Sequence, residues 1–561
     1  MGTLDWVVIG IFFLALIGII VWVVKQKQND SADYFLGGRD ATWLAIGASI
    51  FASNIGSEHL IGLAGAGASS GMAMAHWEIQ GWMILILGWV FVPFYSRSMV
   101  YTMPEFLERR YNPQSRTILS VISLISYVLT KVAVTVYAGG LVFQQVFGIK
   151  ELWGIDFFWI AAIGLVVLTA LYTIFGGMKS VLYTSVLQTP ILLLGSLIIL
   201  VLGFKELGGW DEMMSICSAV TVNEYGDTMT QLIRDNNDPN FPWLGALVGS
   251  AIIGFWYWCT DQFIVQRVLS GKNEKEARRG TIFGAYLKLL PVFLFLIPGM
   301  IAFALHQKYI GAGGEGFLPL LANGTANADA AFPTLVAKLL PAGVKGLVVC
   351  GILAALMSSL ASLFNSSAML FTIDFYKRFK PETPEKKLVG IGQIATVVIV
   401  ILGILWIPIM RSVGDVLYTY LQDVQSVLAP GIAAAFLLGI CWKRTSAKGG
   451  MWGLIAGMII GLTRLGAKVY YSNTDSSMFK YLFYDLNWLF FCGWMFLFCI
   501  IVVIAVSLMT EAPSAEKIQG LVFGTSTPEQ KAATRASWNH WDIIHTVIIL
   551  AITAAFYWYF W

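Results

Sequence analysis

Residues 52–59 read ASNIGSEH, and this polar stretch interrupts an otherwise apolar run from Thr42 to about Gly67. A run of that length can cross a lipid bilayer, and a carboxylate such as Glu58 near its centre costs roughly 2.5–3.5 kcal/mol on insertion scales. Irregular backbone is tolerated at that depth only where it is buried in protein or lines a watery cavity. The stretch therefore indicates a helix broken near Gly56, beside an ion or solute site. The alternative is a polar helix face packed against neighbouring helices.

The composition of the whole chain is that of a polytopic membrane protein in a lipid bilayer. Of the 561 residues, 57% are apolar and only 12% are charged, about half the charged share of a typical soluble domain. The formal net charge of +3 is too small to indicate a nucleic-acid partner. The six cysteines form no CxxC pair, so neither a disulfide framework nor a metal cluster is expected. No obligatory protein partner is implied.

Windows of about 20 apolar residues predict fourteen transmembrane helices. An even number places both termini on one side of the membrane. Most of the 36 Lys and Arg residues lie in loops that follow odd-numbered spans, which makes those loops cytoplasmic and both termini extracellular or periplasmic. The expected location is the plasma membrane, in a bacterium the inner membrane. The predicted spans are 5–24, 42–67, 76–96, 117–146, 156–175, 181–204, 242–265, 281–305, 344–373, 389–409, 413–440, 450–468, 484–508 and 541–561.

A second polar patch interrupts the ninth predicted span. Ala355 lies three and four residues before Ser358 and Ser359, so its carbonyl shares a helix face with their hydroxyls. Hard cations prefer oxygen ligands. The patch predicts a small alkali ion between this face and carbonyls freed by a helix break near Ala52 and Ile55. The alternative is that the serine hydroxyls bond within their own helix.

Polar and aromatic residues inside other apolar runs indicate a site for a solute with many hydroxyls, such as a sugar. Lys288 lies in the body of the eighth span and needs a partner or a cavity. Glu78 follows Trp77 at the start of the third span, and Gln422 lies in the eleventh. Buried hydroxyls must be hydrogen-bonded, and sugar C–H faces stack on aromatic rings. The aromatic run at 255–258 can equally be part of an interfacial belt.

Motifs spread over most of the chain carry a resemblance to one family. They are DYFLGGR (33–39), NIGSEHLIGLAGAGASSG (54–71), YTMPEFLERRY (101–111), GGMKS (176–180), WYWCTDQFIVQRVLSGKN (256–273), YLKLLP (286–291), ALMSSLASLFNSSAMLFTIDFY (355–376) and LAPGIAAAFLLGICWKRT (428–445). On these residues the chain resembles the sodium:solute symporter family, and within it the sodium/glucose cotransporter branch, which includes the bacterial sodium/galactose transporter.

The resemblance implies an all-α LeuT-type fold with two inverted five-helix repeats, in which the first helix of each repeat is broken. One additional helix precedes the repeats and three follow them. The implied divisions are 1–41 for the first helix and a cytoplasmic loop, 42–204 for the first repeat, 205–241 for an extracellular loop, 242–440 for the second repeat with an extracellular loop at 306–343, and 441–561 for the three additional helices.

The resemblance also implies a set of binding residues. The sodium site of the family falls on Ala52, Ile55, Ala355, Ser358 and Ser359. Its sugar site falls on His59, Glu78, Lys288 and Gln422, with Asn54 nearby. The inner gate that stacks on the sugar is Tyr257, with Trp258 beside it, and the outer-gate positions are Leu63, Trp77 and Tyr418.

The function implied by the resemblance is symport of sodium and a sugar into the cell by alternating access, with a hexose such as glucose or galactose as the solute. His59 matches the glucose branch, where the bacterial galactose transporter has glutamine. Ser185 replaces an aspartate that in these relatives is associated with sodium release or with a second sodium site, and Ala361 lacks the hydroxyl found in two-sodium members. One sodium per sugar is therefore expected, and the ion exit route stays open. Gly254 and Gly81 replace polar sugar contacts, which leaves the hydroxyl selectivity open.

Three alternatives are weighed against sugar symport. Another solute of the family, such as an inositol, a sialic acid, an amino acid or a carboxylate, is the first, although Glu78 beside His59 argues against a carboxylate. A membrane enzyme or sensor is the second, but the longest inner loop has only about thirty residues and the chain holds no phosphate-loop motif. A channel is the third, but a site enclosed by aromatic gates favours a carrier that alternates between its two sides. Glu58 has no ligand role in this interpretation and is expected to be a structural carboxylate.

Overall fold

The computed structural model describes the chain except for residues 27–29, 57, 322, 412–416 and 471–476, and except for the side chains of residues 129, 130, 145, 409–411, 417–421, 469 and 470. The described part is mostly helical, with longer irregular segments at 219–242 and 312–321 and one hairpin. In that hairpin Glu151–Leu152 pairs antiparallel with Ile155–Asp156.

The first half of the chain forms helices that follow the predicted apolar runs. Several contain a π-helical turn. In chain order the main segments are Thr3–Val24, Trp43–Asn54, Glu58–Leu63 (π), Ala64–Ser70, Ala75–Glu78, Gly81–Ile86, Leu87–Phe91 (π), Val92–Ser98, Met103–Arg110, Pro113–Ser126, Tyr127–Val132 (π), Ala133–Phe147, Phe157–Leu207 and Trp210–Ser218.

The second half continues in the same way. Its main segments are Trp243–Gly254, Phe255–Thr260 (π), Gln262–Leu269, Glu274–Lys288, Val292–Leu296 (π), Ile297–Gly311, Ala331–Leu339, Val344–Met369, Leu370–Tyr376 (π), Glu385–Arg411, Leu417–Cys441, Ala447–Tyr470, Trp488–Met509, Pro528–Ala536 and His540–Tyr559.

Two helices are broken inside the molecule. The polar stretch at 52–59 predicts the first break, and the family resemblance implies the second. The first ends at Asn54, where Ile55 is extended with φ −83° and ψ 104°. The second is interrupted at Asp261, which has φ −76° and ψ 128°, and whose carboxylate caps the next helix by accepting a hydrogen bond from the Phe263 amide. The broken helix at 52–59 is thereby confirmed, and the two breaks place freed backbone groups and polar side chains inside the protein.

The 51-residue helix Phe157–Leu207 runs through two predicted spans and changes direction at Gly177. Gly177 has φ 52° and ψ −146°, a conformation that favours glycine. A Cβ at this position would lie 2.4 Å from the carbonyl oxygen of Tyr34, so the close approach of a neighbouring segment also requires glycine. The change of direction separates two membrane-crossing halves.

The number of spans differs from the fourteen predicted. Eleven helices in the described part are long and apolar enough to cross a membrane by length and composition. The difference arises because Phe157–Leu207 counts once, while the predicted spans 42–67 and 117–146 are divided into shorter helices such as Trp43–Asn54 and Ala133–Gln144. The chain is a multi-pass helical membrane protein, and fourteen crossings remain a prediction.

The helix Val344–Met369 lies at the centre of the molecule. It packs against Phe157–Leu207 and Trp43–Asn54, and all its side chains from Ala354 to Met369 are buried. In contrast, Thr3–Val24 exposes large apolar side chains, as expected of a helix that faces lipid. The polar patches predicted from the sequence are therefore shielded from lipid by other helices.

Candidate functional site

The break after Asn54 and the central helix together form an oxygen-rich pocket. Ser359 Oγ donates to the carbonyl oxygen of Ser53 at 2.9 Å and lies 3.2 Å from that of Ile55. Because the helix ends here, these carbonyls have no intrahelical N–H donor among the described residues and are free to face the pocket. The structure thus brings together Ile55 and Ser359, two of the residues predicted for the ion site, and places the carbonyl of Ser53, which was not among them, at the same hydroxyl.

The other predicted ion residues lie on the same two helices. Ala52, Ala355 and Ser358 are buried. The hydroxyl of Ser358 lies 3.3 Å from Ser185 Oγ, and Ser185 also donates to the Val181 carbonyl at 2.6 Å. Ser185 therefore stands next to the pocket with a neutral hydroxyl. Neutral oxygens from carbonyls and hydroxyls suit a hard alkali cation such as sodium.

Gly56 leaves room at this pocket. A Cβ there would lie 2.9 Å from Ser359 Oγ and 2.5 Å from Glu58 Oε2. Gly56→Ala should therefore displace the hydroxyl and raise the sodium concentration for half-maximal uptake by about fivefold or more. The measurement is sodium-dependent uptake into proteoliposomes. Gly18→Ala is the control, because nothing lies within 4 Å of a Cβ at that helical position; equal sodium dependence in both variants would contradict the expectation.

A cavity lies next to the ion pocket, and all the predicted solute residues line it, together with some of the predicted gate residues. Leu63 is buried but does not line the cavity, and the side chain of Tyr418 lies outside the described part of the chain. Ser359 lines both the ion pocket and the cavity. The predicted solute and gate residues that line the cavity are Asn54, His59, Trp77, Glu78, Tyr257, Trp258, Lys288 and Gln422.

An ion pair crosses one wall of this cavity. Lys288 Nζ donates to Glu78 Oε2 at 2.6 Å, and His59 Nε2 lies 3.2 Å from the same oxygen. Asn54 Nδ2 lies 3.3 Å from His59 Nε2, and the Lys288 ammonium lies 5.4 Å from the ring centre of Trp258. Lys288 has the partner that its place in the membrane required. The Lys288–Glu78 pair thus presents one positive and one negative group to the cavity, and the two charges cancel.

Two side chains in the cavity hold unused hydrogen-bonding atoms. Gln422 Oε1 and Trp77 Nε1 are buried and have no partner among the described residues. Trp77 is held by rings on two sides, since it stacks on Trp488 with ring centres 5.5 Å apart and meets Phe241 at 6.2 Å. An acceptor and a donor in this state can serve a bound hydroxyl, because buried polar atoms are costly when unpaired.

A second ion pair, which the sequence analysis did not assign, lies at the other break. Lys131 Nζ donates to Asp261 Oδ2 at 2.6 Å, and the Tyr127 hydroxyl donates to the other carboxylate oxygen of Asp261. The Lys131 ammonium lies 4.8 Å from the ring centre of Tyr257, the residue predicted as the inner gate. The only sequence signal was the position of Lys131 inside an apolar run. This pair ties the helix segment Tyr127–Val132 to the second break, next to the aromatic residue predicted as the inner gate.

Gly254 and Gly81, which replace polar contacts, have different surroundings. A Cβ on Gly254 would lie 2.4 Å from Gln80 Oε1, so the Gln80 side chain fills the space there, and its amide donates to the Ser250 carbonyl at 2.8 Å. A Cβ on Gly81 would lie 2.8 Å from the carbonyl oxygen of Ala285. The first position brings another polar side chain to the cavity, and the second permits close helix packing.

Comparison with known proteins identifies the family of this chain. A family model described as the sodium:solute symporter family matches residues 34–457. The human sodium/myo-inositol cotransporter 2 is 37% identical over 538 residues, which cover 93% of this chain and 79% of that protein. The mouse sodium/glucose cotransporter 4 is 36% identical over 540 residues, covering 93% and 78%.

Among solved structures, a Na⁺-coupled sialic acid symporter in a substrate-bound, outward-open state superimposes with a TM-score of 0.75 at 23% sequence identity. The match covers 91% of this chain and 99% of that one. At this identity the similarity concerns the fold, and it supports the LeuT-type architecture expected from the sequence.

Proposed function

This chain belongs to the sodium:solute symporter family, and on that premise we propose that it carries a hexose into the cell together with sodium. The chain is a sodium-coupled transporter and not an enzyme. The observation that carries the choice of solute is the cavity in which Glu78, Lys288 and His59 are joined beside the rings of Tyr257 and Trp258. Such a wall presents donors, acceptors and aromatic faces, which a sugar ring needs.

The charge balance of the cavity supports a neutral solute. Its two lysines, Lys131 and Lys288, each have a carboxylate partner at 2.6 Å. A solute carboxylate would compete with Asp261 or Glu78 for its cation, at the cost of leaving a buried charge unpaired. A hydroxylated ring makes no such demand. Sialic acid, amino acid and other carboxylate solutes are accordingly disfavoured for this chain.

A second candidate solute is an inositol. Relatives at 36–37% identity bear the names of sodium/myo-inositol cotransporters, and a cyclic polyol has the same neutral hydroxyls and apolar ring faces as a pyranose. Counterflow of labelled glucose, galactose and myo-inositol in proteoliposomes separates the candidates. We expect a hexose to exchange, with uptake that requires sodium. Exchange of myo-inositol alone would replace the hexose, and exchange indifferent to sodium would contradict symport.

The proposed cycle is alternating access with one sodium per solute. Sodium binds at Ala52, Ile55, Ala355, Ser358 and Ser359, favours the outward-open state, and raises solute affinity by linkage. Both ligands are then occluded and released to the cytoplasm. In this orientation the two termini of the chain lie outside the cell. A potential of about 100 mV contributes roughly 2.3 kcal/mol per charge, and a tenfold sodium gradient adds about 1.4 kcal/mol. One sodium per solute can thus support accumulation of several hundredfold.

A further inference from the structure

Glu58 is the acidic residue to which the sequence analysis gave no ligand role. It opens the π-helical turn Glu58–Leu63, directly after the break. Its side chain folds back over the break, because a Cβ on Gly56 would lie 2.5 Å from Glu58 Oε2 and 2.9 Å from Ser359 Oγ. The carboxylate and the hydroxyl of the ion pocket therefore flank the same backbone position.

Glu58 also lies where the ion pocket meets the solute cavity. Glu58 and Ser359 both line the cavity, so the two binding spaces are continuous and the carboxylate forms part of the wall between them. The next residue along the chain, His59, contacts Glu78 in the solute half. The turn that carries Glu58 thus connects the ion side of the cavity to the solute side.

The remaining oxygens of the ion pocket are neutral. The carbonyls of Ser53 and Ile55 and the hydroxyl of Ser359 carry partial charges only. Oxygen ligands replace part of the hydration that a cation loses on entering the protein, and a nearby opposite charge stabilises the bound cation further. The Glu58 carboxylate and the Ser359 hydroxyl flank the same position at Gly56. The carboxylate can therefore supply a negative charge near the ion without coordinating it directly.

From these contacts we propose that Glu58 is the counter-charge of the sodium site and sets its affinity for the ion. This inference rests on the proposed function, since it concerns the same ion site. Glu58 lines the solute cavity together with Ser359. Sodium bound near Glu58 would therefore partly neutralise its negative charge and change the electrostatic potential at the neighbouring solute residue His59. Glu58 is then a residue through which ion binding prepares the solute site.

The test uses the full-length protein in detergent and in proteoliposomes. Glu58→Gln removes the charge and keeps the shape. We expect it to raise the sodium concentration for half-maximal uptake at least about tenfold, while solute affinity at saturating sodium changes less than about threefold. The sodium-dependent rise in melting temperature without solute should shift to higher sodium in the same way. Glu58→Asp, which keeps the charge, should lie between the variant and the parent.

Matched variants separate the possible failures. Glu382→Gln, at an exposed position, should leave sodium dependence unchanged. If Ser359→Ala weakens sodium dependence and Glu58→Gln does not, the counter-charge is wrong and the proposed ion site stands. If neither variant changes it, the ion site itself is wrong. If Glu58→Gln loses solute binding at saturating sodium with unaltered sodium affinity, Glu58 is a solute ligand and the inference is overturned. Should Glu58→Gln fail to fold, Glu58→Ala also removes the charge, and a sodium response of Glu58→Ala equal to that of the parent would contradict the inference.

Discussion

Glu78→Ala should abolish solute binding while the protein still reaches the membrane. Glu78 is 1% exposed, and its Oε2 accepts from Lys288 at 2.6 Å and lies 3.2 Å from His59. Removing it deletes a solute acceptor and releases the two groups that it orients. We expect solute affinity to fall by about 100-fold or more, which corresponds to about 2.7 kcal/mol. Equilibrium binding of the solute identified by counterflow measures the loss.

Glu78→Ala removes a solute contact and also leaves Lys288 as an unpaired buried charge. The second effect alone can lower the free energy of unfolding by about 3–5 kcal/mol, so a control must separate the two. The double variant Glu78→Gln with Lys288→Met restores neutrality and should recover thermal stability without recovering solute binding. Glu212→Gln removes one partner of an exposed pair with Lys308 and should change neither property, since surface pairs contribute little. Normal solute affinity in Glu78→Ala would show that the solute binds elsewhere.

Ser359→Ala should weaken the sodium dependence of uptake. Its hydroxyl is 2.9 Å from the Ser53 carbonyl and 3.2 Å from that of Ile55, so alanine removes an oxygen from the ion pocket and leaves those carbonyls without this donor. We expect the sodium concentration for half-maximal uptake to rise about tenfold or more. By linkage, solute affinity should fall at low sodium and recover at saturating sodium.

Ser367→Ala is the matched control for Ser359→Ala. Ser367 lies two turns further along the same buried helix, and its hydroxyl has no partner among the described residues. It should leave sodium dependence unchanged. Equal shifts in both variants would indicate a general effect on the helix, and no shift in Ser359→Ala would remove this residue from the ion site.

Much of the site was accessible from the sequence because its signals were polar residues in apolar surroundings. The run at 52–59 predicted a break, and the helix ends at Asn54. The need of Lys288 for a partner was likewise visible. The pair of Lys131 and Asp261 was not recognised, because aromatic residues next to Asp261 have an equally good explanation as an interfacial belt.

The sequence by itself determined the class of protein, the break near Gly56 and the family. All three conclusions follow from local sequence. In the bilayer core, unpaired backbone groups and isolated charges are too costly unless the protein buries and pairs them, so polar residues in an apolar run mark such places. Only the tertiary structure decided which groups meet: Glu78 with Lys288, Ser359 with the Ile55 carbonyl, and Glu58 with both binding spaces. The reason is that partners hundreds of residues apart meet only when packing fixes the depth and rotation of each helix.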